Sequence, residues 1–313
     1  MKRLIFPALV ALGVLFGAGS SYSQDYCPTV SVTCPEFANG RSTTFTAHVG
    51  AVEPPNSYKW TVSGGSIARG QGTSSIDVNV NSKVRMVTAT VEVTFPHSLP
   101  EGCNFTASCS VIVVPPGYPT HWWGWVTDPK KPDWEILPQE AGPGEVILSK
   151  RNELGLLSNF AATPFVFHGK RYASMEGFWQ AMLYPEGPND PRAKFPGLEW
   201  KYTRDEVTRM TAFEAKHAGD LAEENMCKMK IGWVSFEGKR FAYRPARPGR
   251  HYRLIVAATW AKVLQNPEVK KVLLETADLI LKPDHHQEPN APAAWRYFEI
   301  WMRIRTALQN RDR

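Results

Sequence analysis

The 313-residue sequence has no block of like charge, no internal repeat and no low-complexity segment. Those absences argue against a polybasic nucleic-acid tail, a solenoid and a disordered linker protein. The usual short catalytic signatures are missing too. There is no GxSxG elbow, HExxH helix, CxxC pair, phosphate-cradling Walker loop or dinucleotide glycine fingerprint. Adjacent His285 and His286 fall in a loop pattern and read as solvated, so no metal and no cofactor are expected. What is present is core-forming material: 43% hydrophobic and 12% aromatic residues exclude global disorder. Lys and Arg number 36 against 30 Asp and Glu, a net charge of +6. The first 119 residues hold 7 basic and 6 acidic side chains, leaving 29 and 24, so most of the excess follows residue 119. That balance suits an anionic ligand; nucleic acid is permitted but not indicated.

The chain opens with Lys2 and Arg3, an apolar run from Leu4 to Ala18, and then Gly-Ser-Ser-Tyr-Ser. This is the pattern of a secretory signal peptide, expected over residues 1–23, and the run is shorter than the ~20 residues of a membrane span. A secreted or periplasmic protein with no membrane span in its mature form is therefore expected. Cysteine usage agrees. Cys27, Cys34, Cys103 and Cys109 bracket one strand-rich segment and read as two disulfides, with three pairings open. Cys227 is left over, and its neighbours Met226 and Met229 suggest a buried, unreactive thiol.

Residues 25–114 read as an all-β, immunoglobulin-like sandwich. Runs at 43–49, 58–62, 75–80, 87–95 and 107–114 alternate apolar and polar residues between Gly, Pro and Asn. Trp60 is the expected core aromatic, and the glycines of Gly70-Gln-Gly72 read as turn residues. With Tyr58-Lys-Trp60-Thr-Val-Ser-Gly-Gly65 and Gly70-Gln-Gly72-Thr-Ser-Ser-Ile76, the segment resembles the PKD-like modules of exported bacterial proteins. It carries no chemistry of its own and reads as a spacer, or as a module that docks a protein partner. Residues 115–144 form a linker in which seven of thirty positions are Pro. Trp122, Trp123, Trp125 and Trp134 lie here; most are expected to dock against a domain as an ordered inter-domain strap, with a partner-binding aromatic patch as the alternative.

Residues 145–313 read as a mostly helical α+β domain. Strand patterns at 146–148 and 165–167 precede helical ones at 174–184, 204–226, 250–265, 267–275 and 292–308. A hairpin is expected around the turn Glu237-Gly238-Lys239. One segment is far more specific. Leu157-Ser-Asn-Phe-Ala-Ala-Thr-Pro-Phe165 leads through Phe167-His-Gly-Lys-Arg-Tyr172 to Ser174-Met-Glu-Gly-Phe-Trp-Gln-Ala181. It resembles the NADAR superfamily, and Ala215-Lys-His-Ala-Gly219, Ala261-Lys-Val-Leu-Gln-Asn-Pro267 and Met302-Arg-Ile-Arg305 extend the likeness to roughly 148–308. The resemblance implies hydrolysis of an N-glycosidic bond, in riboflavin-pathway intermediates or in ADP-ribose linked to guanine.

Ser174 is the expected N-cap of a helix on which Glu176, Trp179, Gln180 and Leu183 share one face. Breaking a glycosidic C–N bond builds positive charge at the anomeric carbon, which a carboxylate can stabilise while it handles the proton of attacking water. Glu176 is the candidate catalytic residue. Asn159, Phe160, Trp179, Gln180 and Asp284 are the candidate substrate contacts, aromatics for stacking and polar groups for hydroxyls. Leu183 stands where relatives often carry Lys, and 283–290 replaces their Gly-rich loop; Asp284 and Trp295 are the residues there that could take over. The expected function is an exported N-glycosidase-like hydrolase of an ADP-ribose- or nucleotide-like compound. The alternatives are an inactive nucleotide-binding module and a structural surface protein.

Overall fold

Alternating small apolar and polar residues fold the N-terminal part into eight strands. They are β1 (Thr29–Thr33), β2 (Phe37–Ala38), β3 (Ser42–Gly50) and β4 (Ser57–Ser63). The rest are β5 (Gly65–Arg69), β6 (Ser75–Val80), β7 (Met86–Thr94) and β8 (Thr106–Val113). The structure, a computed structural model, describes residues 27–50, 53–96, 102–245 and 247–311, so the expected signal peptide lies outside the described residues. Two four-stranded sheets form, in the orders β1-β3-β6-β5 and β2-β8-β7-β4. Phe45, Trp60, Val78, Val87, Val91 and Val111 are buried in one cluster. β1, β2 and β5 were not expected from the sequence. The disulfides are Cys27–Cys103 and Cys34–Cys109, and Cys34 and Cys109 tie the end of β1 to β8 in the other sheet. Separations of 76 and 75 residues make each worth about 4 kcal/mol in a chain-entropy account.

The Gly70-Gln-Gly72 motif has a definite task. Both glycines take positive φ, 88°, in the turn between β5 and β6. Gln71 then reaches edge strand β4. Its Oε1 accepts the Trp60 N–H and its Nε2 donates to the Trp60 carbonyl, each at 2.9 Å. A side-chain amide thus stands in for a missing neighbour strand.

The remaining elements build a second core. Its strands are β9 (Glu145–Ile147), β10 (Phe165–Phe167), β11 (Lys170–Tyr172), β12 (Trp233–Phe236), β13 (Lys239–Ala242) and β14 (Ile280–Lys282). Its helices are α1 (Met175–Ala181), α2 (Arg204–Val207), α3 (Ala212–Met229), α4 (Arg250–Gln265), α5 (Pro267–Glu275) and α6 (Tyr297–Arg311). The hairpins β10–β11 and β12–β13 turn through His168-Gly169 and Glu237-Gly238, all four at positive φ, as tight hairpins require. The continuous helix expected at 204–226 is broken. Thr208 to Thr211 leave the helix to meet α1, and Ala212 sits at φ 48°. Cys227 is exposed rather than buried, because Met226 and Met229 take the inward positions of α3. Among the described residues no helix is long and apolar enough to cross a membrane.

The Pro-rich segment is ordered, and its tryptophans divide. Trp122 and Trp123 are buried in the second core, whereas Trp125 and Trp134 are exposed. Trp122 Nε1 donates to Glu153 Oε1 at 2.7 Å and Trp123 Nε1 to the Glu145 carbonyl at 2.9 Å. Trp122→Ala is expected to destabilise the second core by about 3–5 kcal/mol, the usual loss for a buried large aromatic, while Trp125→Ala stays near wild type. Denaturant titration of the full chain measures both; equal midpoints for the two variants would detach this segment from the core.

Candidate active site

Ser174 starts helix α1 by accepting the Gly177 N–H at 2.9 Å, and its hydroxyl donates to the Met210 carbonyl at 2.9 Å. Gly177 is required there. A Cβ would stand 2.7 Å from the Met210 oxygen and 2.9 Å from that of Val207. On the far side Phe178 is ringed by Phe165, Phe167, Tyr172 and Phe236 at centroid distances of 5.0–6.4 Å. All seven residues of the helix are buried, including Glu176 and Gln180.

Glu176 keeps 6% of its surface. Its carboxylate accepts one hydrogen bond, from Gln180 Nε2 at 2.7 Å. Burial pushes its pKa up; the Gln180 bond and the charges of Lys216 and Lys150 offset part of that rise. Gln180 lies against Gly219 of α3, where a Cβ would fall 2.0 Å from its Oε1. That oxygen is buried without a partner. Asn159 joins the site through its main chain, its carbonyl accepting the Glu176 N–H at 2.9 Å.

A second carboxylate arrives from elsewhere. β9 and β14 pair in parallel, so both chains leave the pair at the same end. Lys150 follows β9, Asp284 follows β14, and the two form an ion pair. The Asp284 side chain is 2% exposed. Burial pushes its pKa up, but His285 at 3.2 Å and Lys150 outweigh that and hold it below the usual carboxylate value. The Lys150 ammonium also lies 5.2 Å from the Phe160 ring centre and 5.6 Å from that of Trp134. Phe213, at the start of α3, meets Phe160 edge-on at 5.0 Å and Trp134 at 6.3 Å. Lys150 and Phe213 escaped the sequence reading, which names Trp134 only as a linker tryptophan. The one available signal was a basic pair, Lys150-Arg151, directly after a strand.

Trp179 is placed differently. Its Nε1 donates to the Tyr243 hydroxyl at 2.9 Å, and its ring meets His251 at 4.7 Å and Trp295 at 6.0 Å. With 5% exposure it is packed in the core and does not open onto Lys150 and Asp284. Among the described residues no group of three or more His, Cys, Asp and Glu is placed to hold a metal ion.

Comparison with known proteins covers both halves. Residues 28–95 match the family model of a PKD-like domain. The chain carries a PKD-like domain. No curated protein matches the chain. Among solved structures, the NMR structure of the E. coli protein YbiA, a NADAR family member, is 21% identical. That match covers 53% of this chain and 86% of YbiA, with a TM-score of 0.34.

The loop bearing Asn159 and Phe160 is held from below by two groups. Trp301 Nε1 donates to the Leu157 carbonyl at 2.6 Å and Lys262 Nζ to that of Ser158 at 3.0 Å. Lys262 is wholly buried, and burial brings its pKa down to about 7. A lysine whose folded pKa lies below its unfolded value binds fewer protons when folded, so its penalty on stability shrinks as pH rises from about 7 toward 10. Denaturant titrations across that range should show Lys262→Met more stable than wild type at pH 7, with the gap closing at high pH. A gap that stays constant would show that Lys262 does not titrate in this window.

Proposed function

We propose that the C-terminal domain, residues 145–313, is a NADAR-like hydrolase that cuts an N-glycosidic bond of an ADP-ribose- or nucleotide-like compound. In this reading the chain is exported, and the PKD-like domain serves as its spacer or partner-docking module. The observation that supports it best is the pair of buried carboxylates with opposite environments. Burial raises the pKa of Glu176, while His285 and Lys150 hold that of Asp284 down. Such divergence separates a proton-transfer group from a permanent charge. Glu176, whose burial raises its pKa, exchanges the proton: it protonates the departing base or takes the proton of the attacking water. Asp284, its pKa held down by His285 and Lys150, stabilises the positive charge that grows on the sugar ring. Asn159, Phe160, Trp179 and Gln180 shape and support the pocket around them.

A binding module without turnover is the second reading, favoured by the pairing of Lys150 with Asp284, which occupies a cation an anionic substrate would need. Glu176→Gln separates the two, since it preserves shape and removes the charge. In a base-release assay over ADP-ribose–base conjugates, the variant is expected to lose about 10²–10⁴-fold in kcat, with Kd within a few-fold of wild type. Unchanged turnover would remove Glu176 from the chemistry. Tight binding with no turnover in wild type would leave the module reading standing.

A further inference from the structure

We propose that Trp134, carried by the proline-rich segment outside the NADAR-like stretch, is the platform on which the neutral heterocyclic base of the ligand stacks. This rests on the reading of the site as a nucleotide pocket. Four tryptophans lie on that segment, and two are spent on the core. Trp125 and Trp134 remain 63% and 41% exposed, forgoing the stabilisation their burial would give. Of the two, only Trp134 lies against Lys150, the ion-pair partner of Asp284.

The residues around this exposed indole are firmly held. His286 N–H donates to the Trp134 carbonyl at 3.3 Å, and Ile136 N–H to that of Asp284 at 2.9 Å. Between them Glu135 is buried and takes two bonds from the Arg151 guanidinium, at 2.7 and 2.6 Å. A rigid backbone presenting an open ring is preorganised for a flat partner and loses little entropy on binding. Its neighbour supports the same occupant. Phe213, 61% exposed, stands 6.3 Å away at 57° and gives Trp134 an exposed aromatic neighbour. The Lys150 ammonium lies over the Trp134 ring. That charge disfavours a cationic ring and leaves neutral bases joined to an anionic group as the fitting class.

Calorimetry on the full chain tests this with adenosine monophosphate, which has ring and phosphate, and ribose 5-phosphate, which lacks the ring. Trp134→Ala is expected to weaken adenosine monophosphate about fivefold to a hundredfold, the range of one aromatic–base stack, and to leave ribose 5-phosphate unchanged. Trp134→Phe keeps a ring face and should stay within a few-fold of wild type, which also guards against a misfolded alanine variant. Trp125→Ala should have no effect. Unchanged nucleotide affinity in Trp134→Ala, or equal loss for both probes, would overturn the assignment while leaving the roles of Glu176 and Asp284 intact. If wild type binds neither probe, the nucleotide reading falls and this inference falls with it.

Discussion

A carboxylate buried on a seven-residue helix is the constraint around which the C-terminal half is arranged. Removing Glu176 from water opposes its ionisation, and the chain supplies a single direct hydrogen bond from Gln180 as compensation. The neighbourhood is shaped to allow it. Gly177 lets the Met210 and Val207 carbonyls approach one side of α1, and Gly219 lets Gln180 lie flat on α3. Phe178 anchors the other side in a ring of aromatics. A protein selecting for stability alone would place an apolar residue at 176. An under-compensated buried acid is the kind of group that clusters at functional sites.

How much of this could be read from the sequence depends on the range of the forces involved. The boundary between α4 and α5 was legible because Asn266-Pro267 is a local stop and start. The pair Glu176 and Gln180 was legible because helical spacing puts i and i+4 together. The break at 208–211 was not: the backbone leaves the helix there to bond Ala173 and Ser174, residues some 36 positions earlier. Strands β2 and β5 have little alternation of their own and exist through pairing, whereas β1, Thr-Val-Ser-Val-Thr, alternates but escaped the sequence reading beside Cys34 and Pro35. Lys150 lies 134 positions from Asp284, and only the parallel pairing of β9 with β14 brings them together. The exposure of Cys227 shows the same limit in reverse. Two buried methionines beside it implied burial, but helical geometry turns the residue between them outward.

The position of the cation carries the last step. Leu183, which helical spacing in the sequence places on one side with Glu176 and Gln180, is fully buried in the core. An ammonium at that position would face the full desolvation penalty without an evident partner. Lys150 avoids it. Its side chain is 31% exposed, it approaches from a strand end, and it touches Phe160, Trp134 and Asp284 together. One cation therefore joins these aromatics to the buried Asp284. An anionic group drawn to Lys150 must share it with Asp284, and any loosening of that pair weakens what holds the Asp284 carboxyl ionised. The charge state of Asp284 and the packing of these aromatics are thus tied to a single side chain.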